Sequence, residues 1–254
     1  RDVAQRRLGQ RVHLADAFCG LCGVSPPGHI TPLDPPAVRL PEDLELIGKH
    51  GDPWIALIVG AGEVERCVPT EVWRRWITSF LVSTPRGRVV LVGTECERAA
   101  EIQSLLPPSA LGRIWDTTGR TSLSQLAAIL VRCHQVVGSD TGPLHLAAAL
   151  GRPVIGWYFA RARVHETGPY GTNHWVWQSE HGDVDERGVL APCQWPVDET
   201  ISLLSHQVPT STENWSLWAS HRDELGAYYV EAGHEAIAPL QRTRIWQELQ
   251  PSSV

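Results

Sequence analysis

Phosphate-binding chemistry is indicated by one short stretch near the middle of the chain, Asp140-Thr141-Gly142-Pro143-Leu144-His145. Asp140 and Thr141 are residue types that begin helices, and Pro143 suits a first helical turn because its missing N–H would have no partner there. The exposed N–H groups of Thr141 and Gly142, together with the positive end of the helix dipole, would attract an anion. His145 lies within the same turn and could reach that anion. The alternative is an ordinary capped helix, which recurs in every doubly wound sheet.

A second candidate for phosphate binding is the glycine turn Gly60-Ala61-Gly62, which follows an apolar strand predicted over residues 54–60. The third glycine of a dinucleotide-binding fingerprint would fall at residue 65, which is Glu65, so that fingerprint fails. Arg66 lies close behind the turn. It is either a cation for a phosphate or a solvated surface charge.

Two acidic residues, Glu95 and Glu97, follow a strand predicted over residues 88–93. A carboxylate at the carboxyl end of such a strand can accept hydrogen bonds from two ribose hydroxyls, as acids do in nucleotide-binding folds. The alternative is that both acids only favour the N-terminus of the helix that follows.

The elements that must position these residues alternate between strands and helices. Strands are predicted at 54–60, 88–93, 113–116, 136–137, 153–158 and 174–178, and amphipathic or buried helices lie between them. This regular alternation predicts an α/β fold, a Rossmann-like parallel sheet with helices on both faces. Residues 1–23 are predicted as an N-terminal connector helix, and aromatic residues at helical spacing predict a C-terminal helical tail.

Three segments follow from this pattern: a connector helix with a Pro-rich linker over 1–50, a nucleotide-sugar binding domain over 51–207 and an aromatic-rich helical tail over 208–254. The net charge of −6 argues against nucleic acid as a partner. No apolar run approaches the ~18 residues that span a bilayer. The chain has 6 cysteines without a regular spacing, which favours a reducing, cytoplasmic location.

Two pairs of residues contain cysteines that could carry chemistry. Cys19 and Cys22 form a CxxC pair, but they continue an apolar helical stripe and no second pair follows, so buried packing is the favoured interpretation over metal or redox chemistry. Cys133 with His134 could be a nucleophile and a base. Because nothing places a third orienting group beside them, a structural role is favoured there too.

The stretch Asp140 to Val154 resembles the signature of glycosyltransferase family nine, the ADP-heptose:lipopolysaccharide heptosyltransferases. Other pieces fall in the family's order between Trp54 and His206. Arg66, with Gly62, stands where the family has a glycine turn and a phosphate-binding lysine. Gly168-Pro169-Tyr170-Gly171 is similar to a further turn of the family.

The resemblance implies roles for the candidate residues. It assigns the diphosphate of a nucleotide-sugar donor to Asp140, Thr141, Gly142 and His145, with Gly62 and Arg66. It assigns the ribose to Glu95 and the adenine to the turn that contains Thr121, Ser122 and Leu123. The implied architecture is the C-terminal, donor-binding half of a GT-B fold, in which the acceptor domain and its general base belong to the other half.

Three departures from the family pattern stand out. Val68 replaces a tryptophan before Pro69, Arg66 replaces a lysine, and the loop 159–163 replaces a Phe-Gly-Pro-Thr-Asp-Pro type of sequence. The last change predicts a donor sugar that differs from heptose.

The resemblance therefore implies an inverting glycosyltransferase that moves a heptose-like sugar from a nucleotide-diphosphate sugar, ADP-sugar favoured, to a glycan or lipopolysaccharide-type acceptor. It implies no metal, no cofactor and a cytoplasmic location with a peripheral contact at the inner membrane. The net charge predicts no nucleic-acid partner, and the aromatic residues of 208–254 predict a protein contact through the tail. Two alternatives remain open: a sugar-nucleotide epimerase of the same architecture and a non-catalytic binding module. The epimerase is disfavoured because the helix after Gly142 carries no glutamate.

Overall fold

One mixed sheet runs through the described residues, which in this computed structural model are 13–26, 32–49, 51–179, 194–223 and 226–234. Within those ranges eight strands are present, namely β1 (Trp54–Ile58), β2 (Arg88–Val92), β3 (Ile114–Asp116), β4 (Gln135–Ser139), β5 (Val154–Tyr158), β6 (Trp175–Ser179), β7 (Trp215–Asp223) and β8 (Gly226–Glu231). Their spatial order is β3-β2-β1-β4-β5-β6-β7-β8. The strands β1 to β6 pair in parallel, which confirms the predicted parallel sheet.

Helices cover both faces of the sheet, as predicted. The described helices are α1 (Leu14–Leu21), α2 (Thr70–Ser83), α3 (Cys96–Ser104), α4 (Pro108–Leu111), α5 (Leu123–Leu130), α6 (Gly142–Ala149), α7 (Val164–Thr167) and α8 (Val197–Leu204). The apolar residues of α2, α3 and α8 pack on one face of the sheet. Those of α5 and α6 pack on the other face. Because both faces are covered, the central strands are apolar throughout rather than alternating.

Local sequence signals explain where two of these helices begin and end. Ser122 accepts a hydrogen bond from the Gln125 amide, and the Gln125 side chain accepts one from the Ser122 amide, so α5 begins with a capping box. Gly151 follows the last residues of α6 with a φ of 71°. That left-handed conformation favours glycine, which is the usual residue just after the end of a helix.

The predicted helical tail over 208–254 is wrong for the described part of that segment. Residues 215–223 and 226–231 form the antiparallel strands β7 and β8, and β7 pairs antiparallel with β6, in register Trp177↔Leu217. Aromatic residues three apart share one face of a helix, whereas in a strand they lie on opposite faces, and here Trp215 packs on one face of the sheet and Trp218 on the other. The strand is favoured because it buries Trp215 and Leu217 in the core on one face of the sheet. Residues 235–254 lie outside the described residues.

The connector helix is described only from Leu14, so its predicted residues 1–12 lie outside the described residues. The predicted apolar stripe through Cys19 and Cys22 is also wrong, because α1 turns Asp16 and Gly20 inward and leaves Cys22 exposed. Asp16 can be buried because it accepts hydrogen bonds from the Tyr170 hydroxyl and, at 2.9 Å, from the Ala227 amide.

The segment before β1 contributes to the core. Leu40, Leu44 and Ile47 are buried and pack with α5 and the sheet. Among the described helices, none combines the length and the apolar character that crossing a bilayer demands.

Candidate functional site

The N-terminus of α6 lies directly after β4, at the carboxyl edge of the parallel strands. Thr141 is the N-cap residue, but its hydroxyl donates to the Ser139 carbonyl oxygen at 3.2 Å and does not cap the helix. No acceptor among the described residues pairs with the amide of Gly142, and Pro143 has no N–H to pair. The positive end of the helix therefore remains open to an anion, as the sequence predicted.

Arg66 extends to this corner from the loop that follows β1. Its Nη1 donates to the carbonyl oxygen of Asp140 at 3.3 Å, and its Nε lies 3.5 Å from a carboxylate oxygen of Glu63. Arg98 braces the same loop, because its guanidinium donates to the carbonyl oxygens of Val59 and Val68. The guanidinium of Arg66 is thus placed beside the N-terminus of α6, although 74 residues separate Arg66 from Asp140 along the chain.

The Asp140 carboxylate is directed at protein groups, and its side chain is only 12% exposed. It lies 2.9 Å from Nε2 of His145, and it accepts hydrogen bonds from the hydroxyls of Tyr158 at 3.3 Å and Thr167 at 3.1 Å. A carboxylate would repel a diphosphate. Asp140 therefore supports the corner by orienting His145, whose side chain is 40% exposed, rather than by offering its own charge to the anion.

Tyr158 and Thr167 are parts of the site that the sequence analysis missed. Burial raises the pKa of Tyr158 well above its usual value, so its hydroxyl keeps its single proton, which it shares between the Thr167 carbonyl oxygen at 2.8 Å and Asp140 at 3.3 Å. The only signal in the sequence is the position of Tyr158 at the end of a strand predicted to neighbour β4. Nothing local to Thr167 points to Asp140.

The turn at 167–170 is held from two sides. His13, before α1, makes a 2.9 Å hydrogen bond to the Gly168 carbonyl oxygen, and the Tyr229 hydroxyl of β8 donates to Pro169 at 2.6 Å. The Tyr170 hydroxyl donates to Asp16, and burial is the main cause that raises the pKa of that carboxyl. The segments before and after the parallel sheet thus fix the turn that supplies Thr167.

Glu95 lies where the strands β1 and β2 end, as a ribose-binding residue would require. Its carboxylate accepts hydrogen bonds from the amide and the hydroxyl of Thr94, at 3.0 and 2.9 Å. A Cβ on Gly60 would lie 2.2 Å from this carboxylate, so glycine is needed there for the side chain to cross the end of β1. The predicted partner Glu97 lies at the exposed start of α3.

The residues predicted to face a base lie on the turn after β3. Thr121 is partly exposed, Ser122 caps α5, and the Leu123 side chain is 73% exposed. The Gly119 amide donates to Gly93 at 2.9 Å, which joins this turn to the one before Glu95. The exposed leucine provides an apolar surface on this turn.

The structure thus brings Arg66, Thr141, Gly142 and His145 together at one corner, with Glu95 and the 121–123 turn further along the same edge. Gly62 is exposed, and a Cβ there would meet nothing within 4 Å. The binding roles of these residues stay predictions.

Cys133 lies in an environment that does not suit a nucleophile. Cys133 is buried, and burial raises the pKa of its thiol to about 12, which suits packing rather than nucleophilic attack. The described residues contain no group of three or more His, Cys, Asp or Glu side chains that could hold a metal ion.

Solved structures share this fold. The E. coli ADP-heptose lipopolysaccharide heptosyltransferase II aligns with a TM-score of 0.55 and 21% identity, over 68% of this chain and 56% of that one. The E. coli heptosyltransferase WaaC with ADP aligns with a TM-score of 0.51 and 21% identity, over 67% and 47%. A family 9 glycosyl transferase from Veillonella parvula gives 0.51 and 18%, over 66% and 53%. The chain therefore spans about half the length of these structures.

Curated protein sequences yield no match. The sequence model of glycosyltransferase family 9 (heptosyltransferase), however, matches residues 29–190, which is more than half of the 254 residues. The matched range includes Arg66, Glu95 and the whole α6 corner. By this match and by the fold that it shares with the solved structures, the chain belongs to glycosyltransferase family 9.

Proposed function

We propose that this chain binds the donor of a glycosyltransferase that moves a heptose-like sugar from a nucleotide-diphosphate sugar to a lipopolysaccharide-type or other glycan acceptor, with inversion. The observation that carries the proposal is the α6 corner, where the open amide of Gly142, the Arg66 guanidinium and the His145 imidazole converge. ADP is the favoured nucleotide, because the E. coli heptosyltransferase WaaC, which shares this fold, has been solved with ADP.

The corner suits the charge changes of the reaction. As the bond between the sugar C1 and the β-phosphate oxygen breaks, the leaving diphosphate gains negative charge. Backbone N–H groups at a helix start and a cation stabilise such charge when they are already in place. The acceptor hydroxyl forms the new bond to C1 from the opposite face and gives its proton to a base. The described residues offer no convincing candidate for that base, and the family resemblance assigns it to the acceptor half.

Glu95 and the exposed Leu123 extend the proposed site toward the nucleoside. The Glu95 carboxylate would exchange its hydrogen bonds to Thr94 for two ribose hydroxyls, and Leu123 would lie against the base. Residues of α6 contain no acid, so nothing in the structure favours an epimerase over a transferase. The proposed location is the cytoplasm, with a peripheral contact at the inner membrane where a lipid-linked acceptor would be met.

Titration calorimetry with ADP and UDP tests donor binding directly. We expect ADP to bind in the micromolar to low millimolar range and Arg66→Gln to weaken it by about tenfold, since a charged hydrogen bond contributes about 1.5 kcal/mol. Arg39→Gln is the matched control, because it removes the same charge from an exposed arginine of the segment before β1. If neither nucleotide binds at millimolar concentration, the donor-binding function is wrong.

A further inference from the structure

Three successive carbonyl oxygens, those of residues 167–169, each accept a hydrogen bond from a different side chain. In chain order the donors are Tyr158 at 2.8 Å, His13 at 2.9 Å and Tyr229 at 2.6 Å. A Cβ on Gly168 would lie 2.4 Å from the Tyr229 ring and its hydroxyl, so the turn packs directly on β8. Two of the three donors, His13 and Tyr229, lie outside the parallel strands, and the position of the turn therefore depends on segments beyond those strands.

His13 makes two hydrogen bonds of opposite polarity. Nδ1 accepts from the Ala15 amide at 3.1 Å, which caps α1, and Nε2 faces the Gly168 carbonyl oxygen and therefore carries the proton. The side chain is buried, and burial is the main cause that lowers the pKa of His13, so the neutral imidazole is the form that fits. The usual capping side chains, such as serine or aspartate, would cap α1 but would be too short to reach Gly168 as well.

The turn that His13 holds is connected to the α6 corner by one hydroxyl. Gly168 adjoins Thr167, whose hydroxyl donates to Oδ2 of Asp140 at 3.1 Å. A second acceptor, the Arg163 carbonyl oxygen, lies 3.4 Å from the same hydroxyl. The hydroxyl therefore keeps its bond to Asp140 only while the turn stays in place. Because the other oxygen of that carboxylate lies 2.9 Å from Nε2 of His145, a shift of the turn would also redirect the imidazole.

We infer that His13 is a positioning residue of the α6 corner, which holds the Asp140–His145 pair in place through the turn at 167–170. It acts on the affinity for the diphosphate through these contacts and is not itself a ligand of the donor. The alternative is that His13 only caps α1. The inference rests on the proposed donor-binding function.

Two substitutions of His13 separate its two hydrogen bonds. In His13→Asn the side-chain oxygen can take the place of Nδ1 and accept from the Ala15 amide, but the side chain ends short of Gly168. In His13→Gln the amide nitrogen can take the place of Nε2 and donate to Gly168, but the cap of α1 is lost.

Titration calorimetry with ADP compares the two variants with the unchanged protein. We expect His13→Asn to weaken ADP binding by about fivefold, within the range of coupling that residues between two sites produce. His13→Gln should bind ADP as the unchanged protein does, although loss of the cap should lower its midpoint of urea denaturation. The control is His221→Asn, which changes an exposed histidine of β7 and should leave the affinity for ADP unchanged.

A double-mutant cycle with Thr167→Val tests the connection to Asp140. Valine has the shape of threonine but no hydroxyl to donate to the carboxylate. Thr167→Val should weaken ADP binding by about fivefold, and adding His13→Asn to it should weaken binding no further. Independent effects would instead multiply to about 25-fold.

Three outcomes overturn the inference while donor binding stands. The first is a His13→Asn variant that binds ADP as tightly as the unchanged protein. The second is an equal loss of affinity in His13→Asn and His13→Gln, which would assign His13 to the packing of α1 alone. The third is a pair of losses that multiply in the double variant, which would exclude the connection through Thr167. If the unchanged protein does not bind ADP, the proposed function fails and this inference fails with it.

Discussion

Nε2 of His145 lies 2.9 Å from Oδ1 of Asp140. Asp140 lies between the end of β4 and the start of α6, and His145 lies in the first turn of α6. The two side chains form a pair in which the acid is nearly enclosed and the imidazole is open to solvent. Two hydroxyls, from Tyr158 and Thr167, hold the acid in place. The pair therefore turns an imidazole toward the corner without exposing a negative charge to it.

Replacing Asp140 by asparagine tests this arrangement. We expect Asp140→Asn to weaken ADP binding by about tenfold, because His145 loses the carboxylate that orients it toward the corner. Calorimetry measures the change, with Glu97→Gln as a control that removes an acid from the exposed start of α3. Tighter binding in Asp140→Asn would instead show that the carboxylate repels the diphosphate directly.

Glu95 makes a prediction that depends on the ligand. Glu95→Ala should weaken ADP by about fivefold to tenfold, as two hydrogen bonds to a carboxylate would be lost. It should leave the affinity for 2′,3′-dideoxy-ADP unchanged, because that nucleotide has no ribose hydroxyls to donate hydrogen bonds to the carboxylate. Parallel titrations of both nucleotides make the comparison, and an equal loss for the two would exclude a contact with the ribose.

Ala160 predicts a gain in stability from a single substitution. Because its φ is 52°, Ala160→Gly should raise the free energy of unfolding by about 1 kcal/mol, as glycine adopts the left-handed conformation without a steric cost. Urea denaturation gives the value. Ala100→Gly, on the exposed side of α3, is the matched control and should lower the free energy of unfolding by a similar amount.

His174 predicts a loss of stability in acid. Burial is the main cause that lowers its pKa from 6.5 to about 4, so the unfolded chain binds a proton that the folded chain does not bind between these values. The stability that the neutral His174 side chain contributes is complete above pH 6.5 and is lost as the pH falls toward 4. Between pH 7 and pH 5, the free energy of unfolding should fall by about 2 kcal/mol for this reason.

Urea denaturation of the unchanged protein and of His174→Gln at pH 7 and pH 5 isolates this contribution. Burial also lowers the pKa of His13, so His174→Gln keeps part of the loss of stability in acid. The exposed His221 offers the control substitution His221→Gln, which should follow the unchanged protein. Parallel curves for all three proteins would contradict the assignment to His174.

The sequence predicted the parallel sheet because its signals are local. Short apolar runs bounded by turn residues, the capping box at Ser122 and the glycine after α6 each depend on a few neighbouring residues. The resemblance also assigned residues to the α6 corner that the fold does bring together. Their ligand remains a prediction, since no contact with a donor has been observed.

What the sequence did not reveal depends on contacts between distant residues. The burial of Asp16 requires Tyr170 and the Ala227 amide, which lie 154 and 211 residues away. Gly226 is needed there, because a Cβ would lie 2.2 Å from the Asp16 carboxylate. The aromatic spacing over β7 and β8 predicts a helix for the same reason, because the pairing of β7 with β6 lies outside the local pattern.

The ring of Trp157 on β5 lies 5.0 Å from that of Trp73 on α2 and 5.5 Å from that of Trp195, which is itself 4.9 Å from Trp215. These indoles are buried together on the face of the sheet that α2, α3 and α8 cover. Excited-state energy passes readily among rings at such separations, so their emission should report as a group. The intrinsic fluorescence of these tryptophans therefore reports on the packing of this core, and a shift in their emission would reveal a rearrangement there without an attached dye.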